Sequence, residues 1–300
     1  MGGPDAEHEV SLMSGRQVAQ ALRDSTRYEV IEQVIDRPTV ADLQYVPAEV
    51  VFPALHGPWG EGGPLQEVLE LLGLPYVGSG PEAAAVAMDK PATKAIVSSA
   101  GVRIPVDCEL EAGMPCPLDL PLVLKPIDEG SSIDLHICRT REQLTKARAA
   151  LHPEHGPVMA EQFIAGREVT VGIVCGEPTP LIEIIPSPEV AFYDYRAKYF
   201  RDDTRYVLDP RLPPGTADAC TEAAVSAFDL LGCRDVARAD FIVNNDGAWF
   251  LEINTMPGFT THSLLPMAAA RQGHDMPSLC GRLVESAMAR MAVQATATHG

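Results

Sequence analysis

Between Ala239 and Asn254 the chain reads ADFIVNNDGAWFLEIN, two arms of alternating apolar residues joined by Asn-Asn-Asp-Gly. A period of two on both sides of turn-forming residues specifies an antiparallel β-hairpin. The polar residues then constrain its register. With an odd turn at Asn245-Asp246-Gly247, and Gly247 at positive φ, Asp240 falls opposite Glu252 and Arg238 opposite Asn254. One face is then Ala239, Phe241, Val243, Trp249, Leu251 and Ile253, wholly apolar. A two-residue turn would slip the pairing by one and place Asp240 among them. Two carboxylates and an amide lying about 5 Å apart across a strand pair repel unless a cation sits between them. Hard oxygen donors of this kind suit Mg²⁺. The alternative reading is a solvated sheet face.

The hairpin runs into TMPGFTTHSLLPMAAARQ, a glycine-turn loop followed by a helix capped near Ser263 with Pro266 in its first turn. Free N–H groups and the positive end of the helix dipole make that terminus a seat for a carboxylate. A metal site, an arginine and an anion seat thus fall within one short stretch.

A length of 300 residues suits two or three domains. The longest apolar runs, such as PLVLKP and VGIVC, are of strand length and fall far short of a membrane span. No basic segment followed by an apolar one opens the sequence, and seven scattered cysteines form no CxxC pair. The expectation is a cytoplasmic protein with reduced thiols. A net charge of −18 argues against nucleic acid as a partner, so an anionic substrate would be held by a few local cations.

Strand and helix patterns alternate over the first 90 residues, the rhythm of parallel βαβ units. GRQVAQALRD and PLQEVLELLGLP are helical, whereas YEVIEQVI, EVVFPALHG and PYVGSG are strand-like. MDKPATKAIVSSAG is a further helix, and LVLKP, VMAEQFI and EVTVGIV are strands. From Leu181 to Leu212 regular periodicity fades, and AFYDYRAKYFRDDTRY reads as a long functional loop.

Several residues gain meaning only together. Lys125 ends an apolar strand ahead of Gly130, Ser131 and Ser132, an arrangement suited to phosphate or, equally, to a lysine snorkelling from a strand edge. Lys90 is a weaker candidate of the same type. Glu161, Phe163 and Glu168 flank a turn at Ala165-Gly166 that suits a base and a ribose, or is simply strand and turn. No GxxxxGK[ST] or GxGxxG motif occurs, so any nucleotide site is of another kind. His56 and Glu7 sit at turn points of βα units, where ligands bind in open α/β sheets and where solvated loop residues are also common.

Taken in order, GGPDAEHEVS, ALHGPWGEGGPLQ, LGLPYVGSG, MDK, LVLKPIDEGSS, EQFIAGREVTVGI, FYDYRAKY, GCRDVARADF and LEINTMPGFTTHSLLPMAA resemble the D-alanine–D-alanine ligases of the ATP-grasp superfamily over nearly the whole chain. The resemblance implies a mixed α/β and α+β protein in three parts. These are an N-terminal parallel-sheet domain like that of biotin carboxylase (residues 1–88), a central ATP-grasp subdomain (89–164) and a C-terminal one (165–300) with a mobile loop at 188–206. It implies that Lys90 and Lys125 contact the α and β phosphates of ATP and that Lys198 reaches the γ-phosphate. Glu161, Phe163 and Ile164 would line the adenine pocket, and Glu168 would hold the ribose. Asp240, Glu252 and Asn254 would bind two Mg²⁺ ions, with Mn²⁺ as a substitute. Glu7 would take the ammonium of the first D-alanine, and Ser263 and Leu264 the carboxylate of the second. His56 would belong to the substrate site. Arg238 and the Gly258 N–H would face the oxyanion, and Glu7, Ser131 and Tyr199 would form a hydrogen-bonded trio. The implied reaction makes D-alanyl-D-alanine through an acyl phosphate, for peptidoglycan precursors, in a cytoplasmic homodimer that uses neither nucleic acid nor membrane. The rivals are another ATP-grasp carboxylate–amine ligase and an inactive ATP-binding homologue.

Three departures stand out. The family places a β-strand before the Gly-Gly turn, whereas this sequence opens with Met1-Gly2-Gly3, and the expectation is a start further upstream. Asp134 stands where the family has glycine in the phosphate-covering loop, and Gln162 where it commonly has lysine.

Overall fold

The computed structural model describes residues 1–187 and 203–297, with side chains described through residue 291. Helices α1 (His8–Asp24), α2 (Val40–Leu43), α3 (Pro58–Glu61), α4 (Pro64–Leu72), α5 (Pro81–Met88) and α6 (Lys90–Ser99) precede the first strand. A four-stranded antiparallel sheet follows, in the order β1 (Asp107–Leu110), β4 (Val158–Gln162), β2 (Leu122–Pro126), β3 (His136–Cys138). Helix α7 (Arg141–His155) covers its apolar face, where Leu122, Leu124, Ala160 and Leu151 are buried together. Thr140 starts that helix, accepting a bond from the Gln143 N–H at 3.2 Å in a capping box.

The second sheet is six-stranded. Its path is β10 (Gly247–Asn254), β9 (Val236–Asn244), β5 (Arg167–Val174), β7 (Ile182–Ile185), β8 (Arg205–Leu208), with β6 (Glu177–Pro178) paired to β5. Strand β8 claims residues 205 and 206 from the stretch expected to be a loop, because they pair with β7. Helix α8 (Thr216–Leu230) packs its Ala224, Ala227 and Phe228 on Val169, Phe241 and Phe250 of this sheet. Helices α9 (Leu264–Arg271) and α10 (Met276–Ala297) close the chain, and α10 packs on α1.

The hairpin corrects one expectation. Asp240 lies opposite Glu252 and Arg238 opposite Asn254, as predicted, but Gly247 pairs with Asn244, so the turn has two residues. The odd residue is Leu251, in a bulge between Phe250 and Glu252. Periodicity fixes parity alone, so a bulge and an odd turn give the same register at the polar end. They do not give the same faces. Phe250 is buried against Phe241, ring centroids 5.6 Å apart, while Leu251 turns to the cleft.

The N-terminal region is organised differently. Among the described residues its parallel pairing consists of two isolated bridges, Gly2–Ile35 and Val51–Tyr76, where a parallel sheet was predicted. Met1 to Gly3 reaches Ile35 through two backbone bonds of 3.0 and 2.8 Å, too few rungs for a ladder. Side chains hold the region instead. His56 is buried, with Ser14 Oγ 3.0 Å from Nε2 and the Met256 carbonyl 3.1 Å from Nδ1. The carbonyl can only accept, so Nδ1 carries the proton and Nε2 receives the hydroxyl. Asp235, also buried, accepts from the Gly78 N–H (2.8 Å), Ser286 Oγ (2.7 Å) and Arg290 (2.7 Å).

Candidate active site

Two cavities adjoin at Lys90, Glu129 and Glu252, which line both. The larger holds about 940 Å³ of open space between the two sheets. Its apolar lining includes Val123, Ile137, Phe163, Ile164, Ile242 and Leu251, and Glu168 stands at its edge. A slot of that kind suits a flat, poorly hydrated ring with a polar group at one end. The Arg139 guanidinium lies 5.1 Å from the centroid of the Phe163 ring.

Positive charge enters this cavity from two elements. Asp89 caps α6, accepting from the Ala92 N–H at 2.9 Å, and so places Lys90 in the first turn. Burial lowers the Lys90 pKa, and its Nζ donates to the carbonyls of Ile127 (3.2 Å) and Glu129 (2.6 Å). Lys125 arrives on β2, with its Nζ 3.3 Å from Glu161 Oε2. Glu161 is buried. Burial pushes its carboxyl up, but Lys125 and Lys94 outweigh that, and the net shift is downward. Lys94 escaped the sequence reading, although it sits one helical turn beyond Lys90 on the same face.

Asp240 and Glu252 are register partners and both line the cleft, with Asn254 two residues further on. The sequence predicts a cation among these oxygens, and for Asp240 the chain supplies one itself. Arg238 grips Asp240 with two bonds of 2.9 and 2.8 Å, and Thr170 Oγ1 donates to it at 2.6 Å. Asn254 Oδ1 caps the Met256 N–H at 2.8 Å. Glu252, which faces both cavities, is the donor best placed toward a cation entering from the cleft. The donor set, two carboxylates and an amide oxygen, fits a hard cation such as Mg²⁺.

The smaller cavity gathers Arg238, Asn254, Gly258, Ser263 and Leu264 from the sequence reading. Ser263 is the N-cap residue of α9, but its Oγ accepts from the Thr260 N–H (2.9 Å) and tightens the loop. Gly258 is tight against it, since a Cβ there would lie 2.7 Å from Ser263 Oγ. Glu7 and Ser131 are in direct hydrogen-bond contact, which joins the N-terminal region to the loop that follows β2. Lys198 and Tyr199 lie outside the described residues. His56 lines neither cavity, and its two nitrogens hold Ser14 and Met256 instead.

Glu61 is a second residue the sequence reading passed over. It lines the smaller cavity, accepts from the Gly57 N–H at 3.1 Å, and its buried Oε2 has no hydrogen-bond partner. Burial, and then the neighbouring Glu7, push its pKa well above the usual carboxylate range. The loop that follows β2 carries Ser131, Ser132 and Asp134 at positive φ (53°, 57° and 55°), a region that favours glycine, the residue the resemblance leads one to expect at the last of these positions. Asp134 accepts that conformation and bonds His155 at 2.9 Å.

Comparison with known proteins gives this geometry its context. Residues 104–285 match the model of the D-Ala–D-Ala ligase C-terminus, and residues 38–79 that of the N-terminus. The chain belongs to the D-alanine–D-alanine ligase family. Its relatives include the D-alanine–D-alanine ligases of Syntrophotalea carbinolica, 41% identical over 97% of this chain and 95% of that one, and of Desulforudis audaxviator, 42% identical over 97% of each. Among solved structures, a D-alanine–D-alanine ligase from Bacillus anthracis complexed with ATP superposes with a TM-score of 0.83 at 28% identity, covering 98% of this chain and 97% of that one. The Coxiella burnetii ligase gives 0.85 at 27% identity, covering 99% and 95%. The ATP-grasp fold inferred from the motifs is therefore the fold of this chain.

Proposed function

We propose that this protein joins two D-alanines at the expense of ATP, releasing ADP and phosphate, to supply D-alanyl-D-alanine for peptidoglycan precursors. The observation that carries the reading is the pair of adjoining cavities that share Lys90 and Glu252. One is an apolar slot with two lysines, and the other is lined by an arginine, a helix N-terminus and three carboxylates, of which Glu61 is buried. A nucleotide in the first directs its γ-phosphate toward the second. Asp240, Glu252 and Asn254 would hold Mg²⁺, whose chemistry there is to neutralise the polyphosphate and orient its terminal group.

The chain's own groups do the rest. Glu161, Phe163 and Ile164 line the adenine pocket and Glu168 takes the ribose. Lys90 and Lys125 neutralise the α and β phosphates, and Lys198 the γ. Glu7, in hydrogen-bond contact with Ser131, holds the ammonium of the first D-alanine, and Tyr199 would complete the trio that the resemblance implies. A carboxylate oxygen of that D-alanine attacks the γ-phosphorus, the bond to the bridging oxygen breaks, and ADP leaves. The second D-alanine is anchored by its carboxylate at Ser263 and Leu264. Its amine attacks the acyl phosphate carbonyl, Arg238 and the Gly258 N–H stabilise the oxyanion, and phosphate departs. His56 acts at one remove, fixing the Met256 carbonyl beneath the Gly258 loop.

The same reading divides the chain at 1–88, 89–164 and 165–300 and places it in the cytoplasm as a homodimer. It is compatible with the finding that, among the described residues, no helix is long and apolar enough to cross a membrane. The deciding experiment is phosphate release from ATP and Mg²⁺ with a panel of D- and L-amino acids, with and without a chelator. D-alanine-dependent, chelator-sensitive release together with the dipeptide is the expected outcome. Release driven by another amino acid would favour a different carboxylate–amine ligase. ATP binding with no release would mark an inactive homologue.

A further inference from the structure

The central sheet carries a buried charge cluster that the mechanism above does not use in full. Asp107 and Glu161 are directly opposed on β1 and β4, an arrangement that is unfavourable for two carboxylates. Lys125 lies on the same face of β2, two residues beyond Val123, the partner of Glu161. Lys94 descends from α6 into the middle with 1% of its side chain exposed. Its Nζ is in close contact with Glu161 Oε2 and lies 3.3 Å from Asp107 Oδ2. Two cations and two anions close into a neutral quartet.

Within it, two lysines share one carboxylate unequally. Lys94 has the near contact, and Lys125 stands at 3.3 and 3.5 Å, the long end of hydrogen bonding. Lys125 also lines the nucleotide slot, whereas Lys94 does not. We infer that Lys94 is a positioning residue for the nucleotide: by holding Glu161 in the nearer contact it keeps Lys125 loosely tethered and available to the polyphosphate. This rests on the slot being an ATP site. Without the Lys94 charge, Glu161 faces Lys125 as its one remaining ammonium partner. In a medium of low polarity their attraction draws Lys125 in, and phosphate must compete for it.

The test uses the full chain with Lys94→Met, similar in length and uncharged. Calorimetric Kd and steady-state KM for ATP should rise roughly ten-fold or more, with kcat and the KM for D-alanine within about two-fold, the pattern of lost nucleotide binding. Adding Glu161→Gln to Lys94→Met should bring ATP affinity to that of Glu161→Gln alone, because a neutral amide cannot hold Lys125 back. A purely structural Lys94 would make that double variant worse. Combining Lys94→Met with Lys125→Met should weaken ATP binding no further than Lys125→Met alone. If Lys94→Met does not fold by circular dichroism, the comparison of Lys94→Met/Glu161→Gln with Glu161→Gln decides. Equal ATP affinities uphold the inference, and a further loss overturns it. An unchanged ATP Kd in folded Lys94→Met also overturns it while leaving the ligase reading intact. A wild-type chain that binds no ATP would remove both.

Discussion

The two antiparallel sheets and the N-terminal region are held together by different means. The sheets are joined rung by rung through backbone bonds, with β5 and β9 paired over eight positions from Arg167–Val243 to Val174–Val236. The N-terminal region has two isolated bridges and relies on buried side chains that cross to the far end of the sequence: Ser14 to Phe259, His56 to Met256, and Gly78 to Asp235. A ladder spreads its energy over many equivalent bonds, so one side chain matters little to its existence. A seam of side chains concentrates it, and adds a dependence on pH that a ladder lacks.

The seam should therefore break first and most sharply at Asp235. Asp235→Ala removes the acceptor for a backbone N–H, a hydroxyl and a guanidinium. We expect a loss of about 3–5 kcal/mol in denaturant melts, the cost of leaving buried partners unmatched. Hydrogen exchange should speed up around Gly78 while β5 and β9 stay protected. Equal acceleration in both would mean that seam and ladder open as one unit.

The next largest effect is that of pH at His56. Burial lowers its pKa from 6.5 to about 4, so between those values the unfolded chain binds a proton that the folded chain refuses. Stability is thus full above pH 6.5 and falls as the pH drops toward 4, by roughly 3 kcal/mol from this residue. Melts of the wild type and of His56→Gln at pH 7 and pH 4.5 check the sign: the variant should lose less on acidification. The smallest effect belongs to Asp134. Asp134→Gly relieves a left-handed backbone but gives up the exposed His155 bond, and the net change should stay under about 1 kcal/mol. A larger loss would make that surface pair a true part of the fold.

How far the sequence alone reaches follows the same divide. The paired ends of β9 and β10 and the starts of α6 and α9 were all legible, because alternation and the residue types that begin helices are local, although the Ser263 hydroxyl turns to the preceding loop. The position of the odd residue was not, since a bulge at Leu251 and an odd turn share one parity. Lys94 looked like any helical lysine until the β1–β4 register set Asp107 against Glu161. Glu61 lay within a quoted motif, but only its burial and its unpartnered Oε2 mark it out. His56 was read as part of the substrate site from its position at a turn, and the structure gives both its nitrogens to the protein. In each miss the deciding information is the distance between residues far apart in the chain, which periodicity does not carry.

Lys90, Glu129 and Glu252 form a partition with a chamber on either side. A compound with one head for each chamber, joined by a short tether, would replace two separate encounters with one and gain from effective concentration. Its linker would have to thread past Lys90, Glu129 and Glu252, so these three side chains set the usable length and the tolerable charge of any such inhibitor.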